Sequence, residues 1–258
     1  MKVMLITGAS RGLGKVLYDY FSMFKDYHVY GTSRNPNNND LLTLDITSDA
    51  SVSACINEVY DKEKRIDVLI NNVGSNLIGS FEATTMTDFQ KEMNLNFYGA
   101  FRMMREILPY FRQVGEGRII NISSIGGRVP LPYNSTYAAS KAALEAMSES
   151  LAYDLSNDNI YVSLIEPIGL TIDGEMPTIK YVSEEKPLHQ SSQHMFKKMQ
   201  TKSSPSVTKL RVAQRIHKII LLEKPKLRYP VGKGSRIILL LHNLLPYRIF
   251  KRIIQFLM

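Results

Sequence analysis

Residues 3–14 decide the fold: they read Val-Met-Leu-Ile-Thr-Gly-Ala-Ser-Arg-Gly-Leu-Gly. The first four form an unbroken apolar run, which is typical of a strand buried on both faces of a parallel sheet. Glycines follow at positions 8, 12 and 14, where an amphipathic stretch begins. Glycine tolerates positive φ, and the free amides at a helix N-terminus attract phosphate. The segment therefore predicts a strand, a phosphate-binding turn and a helix, although a glycine motif by itself is as often an ordinary tight turn.

Short apolar runs alternate with longer amphipathic stretches along the rest of the chain, a pattern typical of an α/β fold. We interpret residues 1–258 as one domain with a parallel sheet covered by helices on both faces. The predicted strands are Val3–Thr7, His28–Thr32, Leu41–Leu44, Val68–Asn71, Arg118–Ser123, Tyr161–Ile165 and Leu227–Val231. The predicted helices cover residues 13–24, 48–62, 85–113, 137–156 and 207–222. Residues 169–205 have weak periodicity and predict a lid over a substrate, because connections this long are usually functional.

The composition is that of an ordinary globular protein, with 44% hydrophobic and 22% charged residues. Cys55 is the single cysteine, which excludes an internal disulfide and favours a reducing compartment. We expect no signal peptide before Val3, and no apolar run approaches the roughly 20 residues that span a bilayer. The five histidines lack the spacing of metal ligands. We therefore expect a cytoplasmic protein without a metal site.

Positive charge is concentrated in the last quarter of the chain. Residues 197–258 contain 15 Lys and Arg residues but one acid, Glu223, whereas the chain as a whole has a net charge of +8. Residues 235–258 predict two basic amphipathic helices separated by Pro246. The apolar face of residues 247–258 favours packing on the domain, and the alternatives are peripheral contact with an anionic membrane or with an acidic carrier protein. We expect no nucleic-acid partner, because no reading motif accompanies the charge.

Tyr137 and Lys141 are four residues apart on a predicted helix, so both project from one face. A free phenol has a pKa of about 10, and a nearby ammonium group lowers it by favouring the phenolate. Ser124 ends a predicted strand and could donate a hydrogen bond to a substrate oxygen. Together these side chains predict general acid–base chemistry at Tyr137. Alternatively, Tyr137 is an aromatic residue that packs on the core, which would leave Lys141 and Ser124 unexplained.

Several motifs occur in the order and spacing of one family. Thr7-Gly8-x-x-x-Gly12-x-Gly14, Asn71-Asn72-Val73-Gly74, Asn96, Ser124 and Tyr137-x-x-x-Lys141 resemble the short-chain dehydrogenase/reductase family, in its compact single-domain branch. The resemblance implies a Rossmann-type doubly wound sheet of order 3-2-1-4-5-6-7. It also implies hydride transfer between a nicotinamide cofactor and a ketone, an aldehyde or the corresponding alcohol, with Tyr137 as acid/base. The apolar C-terminal residues suggest a fairly apolar substrate.

The resemblance also assigns roles to individual residues. The catalytic set is Asn96, Ser124, Tyr137 and Lys141, with Asn94 as the rival of Asn96 in the same segment. The cofactor set is Gly8, Ser10, Arg11, Gly12, Leu13, Gly14, Arg34, Asp45, Ile46, Asn72, Val73, Gly74, Tyr137, Lys141, Pro167, Gly169 and Thr171. Within it, Asp45 and Ile46 would contact the adenine, and Asn72 and Gly74 would lie beside the adenosine ribose.

The end of the second strand predicts which dinucleotide is used. An NAD site usually has an acid there, which binds the ribose hydroxyls. This chain has Ser33 at that position, followed by Arg34, and Arg11 in the glycine turn adds a second cation. A guanidinium group matches the geometry of a phosphate. We therefore predict NADP(H), with Arg34 on the 2′-phosphate; the alternative is a solvated surface arginine.

One segment departs from the family pattern. Relatives usually carry Pro-Gly after the sixth strand and a threonine a few residues later, whereas this chain reads Glu166-Pro167-Ile168-Gly169-Leu170-Thr171. Either the turn is remodelled or the nicotinamide amide is held differently. Relatives commonly associate through the long helices, so a homodimer or homotetramer is expected through residues 85–113 and 137–156. Two other functions stay open: reduction of a carrier-bound β-ketoacyl thioester, and a sensor or scaffold that binds NADP(H) without turnover.

Overall fold

A computed structural model describes residues 1–36, 40–170, 178–180 and 207–257. Its centre is a sheet of seven strands in the order β3-β2-β1-β4-β6-β7-β9, and every pairing is parallel. The strands are β1 (Lys2–Ile6), β2 (Tyr27–Ser33), β3 (Leu41–Thr43), β4 (Val68–Asn71), β6 (Gly117–Ile122), β7 (Ile160–Pro167) and β9 (Arg228–Val231). Counted along the chain within this sheet, the order is 3-2-1-4-5-6-7, which confirms the predicted doubly wound fold.

A second, two-stranded sheet was not expected from the sequence. It pairs β5 (Leu77–Gly79) with β8 (Thr178–Lys180) in parallel. Strand β8 falls inside the segment that we interpret as a lid. The rest of that segment, residues 171–177 and 181–205, lies outside the described residues.

Eight α-helices are described, and they cover both faces of the large sheet. They are α1 (Gly12–Ser22), α2 (Asp49–Glu63), α3 (Met86–Met93), α4 (Gly99–Val114), α5 (Ser135–Asp154), α6 (Lys209–Ile220), α7 (Ser235–Leu244) and α8 (Tyr247–Leu257). In this part of the chain, no helix combines the length and apolar character needed to cross a bilayer.

The single helix predicted over residues 85–113 is two helices, which corrects the sequence interpretation. A π-helical turn, Asn94–Tyr98, separates α3 from α4. Helix α3 starts with a capping box in which Thr85 and Asp88 exchange hydrogen bonds. A π turn accommodates one extra residue and often occurs at a functional site, and here it carries the buried Asn96.

The core has two layers because strand residues alternate between the two faces of the sheet. In β1, Val3 and Leu5 pack with helices α2, α4 and α5, whereas Met4 and Ile6 pack with α1 and α6. Each of these four side chains is at most 1% exposed. Burial on both faces explains why the strands read as continuous apolar runs.

A third, smaller cluster lies at the carboxyl ends of the strands. Phe250 and Ile254 of α8 and Leu239 of α7 are buried against Ile125 and Val129. One face of α8 therefore packs on the protein.

Candidate active site

The glycine turn between β1 and α1 is open to a ligand. Gly8 has φ of +71° and Gly12 of +61°, values in the left-handed region that favours glycine. A Cβ atom at Gly14 would collide with the carbonyl oxygen of Gly8, whereas a Cβ atom at Gly12 would meet no heavy atom within 4 Å. Positions 8 and 14 therefore require glycine, and the space beside Gly12 is open. This geometry fits the pyrophosphate of a dinucleotide at the N-terminus of α1.

Asn72 fixes this turn to the end of β4. Its Nδ2 atom donates to the carbonyl oxygens of Thr7 (3.0 Å) and Gly8 (3.2 Å). The backbone amides of Asn72 and Val73 donate to Thr7 Oγ1 at 2.9 and 3.3 Å. β1 and β4 are neighbours at the point where the strand order reverses, the usual place for a ligand in a doubly wound sheet.

The ends of β2 and β3 meet at one edge of this crevice. Arg34 is exposed, and its charge helps to lower the pKa of Asp45. The larger causes of that shift are the hydrogen bonds that Thr47 donates to Asp45 Oδ1, from Oγ1 at 2.7 Å and from the backbone amide at 2.9 Å. Arg34 is thus one of the charges that act on Asp45, and the Thr47 hydrogen bonds act more strongly.

The remaining cofactor residues divide into exposed and buried side chains. Ser10 and Arg11 are exposed in the turn. Leu13 and Ile46 are buried, at 8% and 5% exposure, and a Cβ atom at Gly99 would press on Ile46. Leu13 and Ile46 can therefore meet a cofactor mainly through their backbones.

Tyr137, Lys141 and Ser124 meet at the carboxyl end of β6. The Lys141 Nζ atom lies 5.9 Å from the Tyr137 ring centroid and donates to the carbonyl oxygen of Ile122 at 2.8 Å. Ser124 Oγ accepts from the Gly126 amide at 3.0 Å and also hydrogen-bonds Tyr137. A Cβ atom at Gly126 would come within 3.3 Å of the tyrosine ring. A small residue there lets the phenol lie beside Ser124.

Burial, rather than the lysine charge, dominates the acidity of this site. Desolvation raises the pKa of Tyr137, the hydrogen bond with Ser124 opposes the rise, and the charge of Glu92 adds to it. Burial also lowers the pKa of Lys141 to about 8, against the charges of Glu92 and Glu145. The sequence predicted that the Lys141 charge lowers the pKa of Tyr137. Without a bound cofactor, that pKa is instead raised by burial. Tyr137 is protonated at neutral pH and can donate a proton.

Asn96 lies at the centre of a buried polar network. Its Nδ2 atom is 3.0 Å from the Ser75 carbonyl oxygen, 3.0 Å from Glu92 Oε1 and 2.9 Å from Ser140 Oγ. Its Oδ1 atom accepts from the Ser75 amide at 2.8 Å. A Cβ atom at Gly74 would lie 3.1 Å from that oxygen and 3.5 Å from Lys141 Nζ. Gly74 therefore lies close to both Asn96 and Lys141.

The rival residue, Asn94, has a different environment. Its Oδ1 atom accepts a hydrogen bond from Arg102 at 2.9 Å. Asn94 is thus held by the half-buried Arg102, and Asn96 is the asparagine that lies near Lys141.

Glu92 is a site residue that the sequence analysis missed. It is 5% exposed and accepts hydrogen bonds from Ser75 Oγ at 2.7 Å, from the Leu77 amide at 3.3 Å and from Asn96. The sequence could have indicated Glu92 by its position: it lies one helical turn before Asn96, and residues four apart share a helix face.

The turn after β7 accommodates its unusual sequence. Pro167 is buried, and Gly169 has φ of +58°. Ile168 donates its amide to the Val231 carbonyl oxygen at 3.0 Å, and its side chain packs against the cluster that contains Ile125. The left-handed residue is therefore Gly169, one position later than a Pro-Gly turn would place it. Thr171 lies outside the described residues.

The fold and the glycine turn define an α/β dinucleotide-binding protein. The chain belongs to the short chain dehydrogenase family, whose model matches residues 2–178. This is a family of oxidoreductases that use nicotinamide cofactors. Among the described residues, no group of three or more His, Cys, Asp or Glu side chains could hold a metal ion.

Individual relatives agree with the family assignment. The chain is 41% identical over 170 residues to a 3-ketodihydrosphingosine reductase from Bacteroides thetaiotaomicron, a match that covers 64% of this chain and 63% of that protein. A short-chain dehydrogenase from Streptomyces avermitilis superposes with a TM-score of 0.83 at 29% identity, over 94% of this chain and 92% of the other. ElxO with NADP bound superposes with a TM-score of 0.75 at 26% identity, over 92% and 99%.

Proposed function

We propose that this protein is an NADP(H)-dependent reductase of a fairly apolar ketone or aldehyde, and that it also catalyses the reverse oxidation. The observation that carries this proposal is the half-buried Tyr137 side chain, which lies beside Ser124 and Lys141 at the same edge of the sheet as the glycine turn. A protonated, hydrogen-bonded phenol is suited to general acid catalysis.

The proposed mechanism assigns one task to each side chain. The bound cofactor supplies the hydride. Tyr137 donates its proton to the carbonyl oxygen, which yields the alcohol and leaves a phenolate. Ser124 donates a hydrogen bond to the same oxygen and stabilises its developing charge. The Lys141 ammonium group stabilises the phenolate, and Asn96 and Glu92 support that end of the site. In the oxidative direction, Tyr137 accepts the hydroxyl proton.

Preference for NADP(H) is the second part of the proposal. Arg34 follows Ser33 at the end of β2 and is exposed, with no acid on β2 itself. ElxO, a structural relative with NADP bound, supports this choice. Arg34→Ala should raise the NADPH dissociation constant about 10- to 100-fold, the worth of a charge-assisted hydrogen bond, and change NADH binding less than about twofold.

Isothermal titration calorimetry with both cofactors tests this preference. Lys62→Ala is the matched control, because Lys62 is an exposed cation on α2. Equal affinity of the wild-type protein for NADPH and NADH would contradict the proposal.

The substrate class rests on the relative from Bacteroides, which is named for 3-ketodihydrosphingosine. We would measure NADPH oxidation with 3-ketodihydrosphingosine and decanal as apolar probes and glyceraldehyde as the polar control. Oxidation with the apolar probes, reduced about 100-fold or more in Ser124→Ala, is the expected result. Tight NADPH binding without turnover of any carbonyl compound, free or carrier-bound, would indicate a sensor. Turnover of a carrier-bound β-ketoacyl thioester alone would indicate the carrier-dependent reductase.

We also propose that the protein forms a homodimer or homotetramer in the cytoplasm. The support is three exposed aromatic side chains, Tyr98, Phe101 and Tyr153, at the start of α4 and at the end of α5. Sedimentation equilibrium tests this, and Phe101→Ser should weaken the association. A wild-type monomer at micromolar concentration would contradict it.

A further inference from the structure

Helices α7 and α8 expose large apolar side chains that the domain does not cover. We call these residues the α7–α8 surface: Ile237, Leu240, Leu244, Tyr247, Ile249 and Phe256, which are 64%, 58%, 71%, 77%, 50% and 86% exposed. The described part of the chain has sixteen exposed large apolar residues, and these six fall within a stretch of twenty. A cluster of this kind marks an interaction site more often than scattered exposed residues do.

The surface is a second apolar face, separate from the one that packs on the domain. Leu239, Phe250 and Ile254 are already buried in the cluster with Ile125. On α7, Ile237, Leu240 and Leu244 recur at intervals of three and four residues, so they share one exposed side of the helix. Packing on the protein therefore accounts for one side of these helices, and another side stays exposed to solvent.

Positive charge borders this surface. Lys233, Arg236, Arg248, Lys251 and Arg252 are all exposed, and no acid follows Glu223 in the sequence. Basic residues next to exposed apolar ones are the pattern of helices that lie in the interface of an anionic bilayer. A second copy of this chain fits poorly, because a twofold interface would bring the same cations face to face.

We propose that the α7–α8 surface docks on an anionic lipid bilayer, with its apolar residues in the headgroup region and its cations on the lipid phosphates. The docked face adjoins the active site. Helix α7 follows β9 at the carboxyl edge of the sheet, and the cluster beneath both helices contains Ile125 and Ile168, the neighbours of Ser124 and Pro167. An apolar carbonyl substrate could then pass from the bilayer to Tyr137 with little exposure to water; this last consequence rests on the proposed function.

Vesicle co-sedimentation of the full chain tests the docking. We expect binding to phosphatidylcholine vesicles that contain phosphatidylglycerol, at least about tenfold stronger than to phosphatidylcholine alone and weakened by salt. The triple variant Arg248→Gln, Lys251→Gln, Arg252→Gln should lose about tenfold or more in affinity for the anionic vesicles. Its matched control replaces three exposed lysines elsewhere, Lys25, Lys62 and Lys64, with Gln and should bind as the wild type does.

Two leucine variants measure the apolar contribution to vesicle binding separately from the contribution of the cations. Leu244→Ser should weaken vesicle binding several-fold, whereas Leu221→Ser should not. The two leucines are about equally exposed (71% and 70%), but Leu221 directly follows α6, at the opposite edge of the sheet. Thermal unfolding and NADPH binding confirm that each variant is folded.

Three results would overturn the docking proposal. They are no binding to anionic vesicles, equal binding by the wild type and the triple variant, and a dimer in free solution that Leu244→Ser dissociates. Vesicle binding needs no substrate, so its failure leaves the proposed reductase untouched. A failure of NADPH oxidation would likewise leave the vesicle result unchanged.

Discussion

At the scale of single residues, Tyr137 and Lys141 show that burial outweighs charge in this site. The ammonium group was expected to lower the phenol pKa, yet desolvation raises the pKa of Tyr137 and lowers that of Lys141 to about 8. A four-residue spacing indicates that two side chains share a helix face. It does not indicate how deeply they lie, and depth determines which effect is larger.

The Lys141 pKa has a measurable consequence for activity. Because the ammonium group must be charged to stabilise the phenolate, kcat/KM for carbonyl reduction should fall as the pH rises through about 8. The charge of Glu92 raises the pKa of Lys141, so Glu92→Gln should move this fall to lower pH. The measurement is the pH profile of kcat/KM for both proteins.

Glu82→Gln is the control for this profile, since Glu82 is exposed nearby in the chain. A fall at the same pH in the wild type and in Glu92→Gln would contradict the assignment, even if the variant were slower overall.

At the scale of elements, the β1–turn–α1 unit was predictable because its signals are local. Each predicted strand of the large sheet ends within two residues of its observed limits. The β5–β8 sheet was missed because three-residue strands carry no readable period and the pairing partner is remote in sequence. The division between α3 and α4 was missed because side-chain contacts of Asn96, rather than a Pro or Gly breaker, accompany the π turn.

The tight contact at Gly14 yields a prediction for this unit. In Gly14→Ala the new methyl group would press on the Gly8 carbonyl and on the Asn72 side chain that holds the turn. NADPH affinity should therefore fall at least about tenfold, because the phosphate-binding amides move. Calorimetric titration measures this, with Asp19→Ala on the exposed side of α1 as the control. Unchanged affinity in Gly14→Ala would show that this turn is not the phosphate site.

The residues of the candidate site also differ in how far the sequence could predict them, because some carry local signals and others depend on remote contacts. Ser124, Tyr137 and Lys141 were predicted from their order and spacing, and the structure brings them together. Glu92 was not predicted, because a glutamate in a polar helix gives no sign that Ser75, Leu77 and Asn96 enclose it.

At the scale of the whole molecule, a partly buried charge cluster joins α5, β7 and β9. Arg228 contacts Glu145 at 3.0 Å, Glu149 at 2.9 Å and Glu166 at 3.6 Å, and Arg128 lies 3.7 Å from Glu166. Glu166 is 0% exposed, and in the described part of the structure neither of its carboxylate oxygens accepts a hydrogen bond. Three carboxyl groups thus face two guanidinium groups, and one retained proton makes the cluster neutral.

That proton predicts a pH dependence of stability. Burial, with the charge of Glu145, raises the pKa of Glu166 to about 7. Since the unfolded carboxyl titrates near 4.3, its stabilising contribution is fully present below that pH and is lost as the pH rises through about 7. Between pH 5 and pH 8, the unfolding free energy of the wild type should fall by about 2–3 kcal/mol more than that of Glu166→Gln.

Urea denaturation at several pH values measures this difference. Glu82→Gln, which changes an exposed acid, should follow the wild type. Parallel curves for the wild type and Glu166→Gln would show that Glu166 holds no proton near neutral pH.

The most direct test of the central claim is the turnover of Tyr137→Phe. Single-turnover oxidation of NADPH with 3-ketodihydrosphingosine would be compared in the wild type and the variant, with NADPH affinity measured on the same samples. General acid catalysis by Tyr137 predicts a rate about 10²- to 10⁴-fold lower with little change in NADPH affinity. Oxidation at the wild-type rate in Tyr137→Phe would contradict the mechanism.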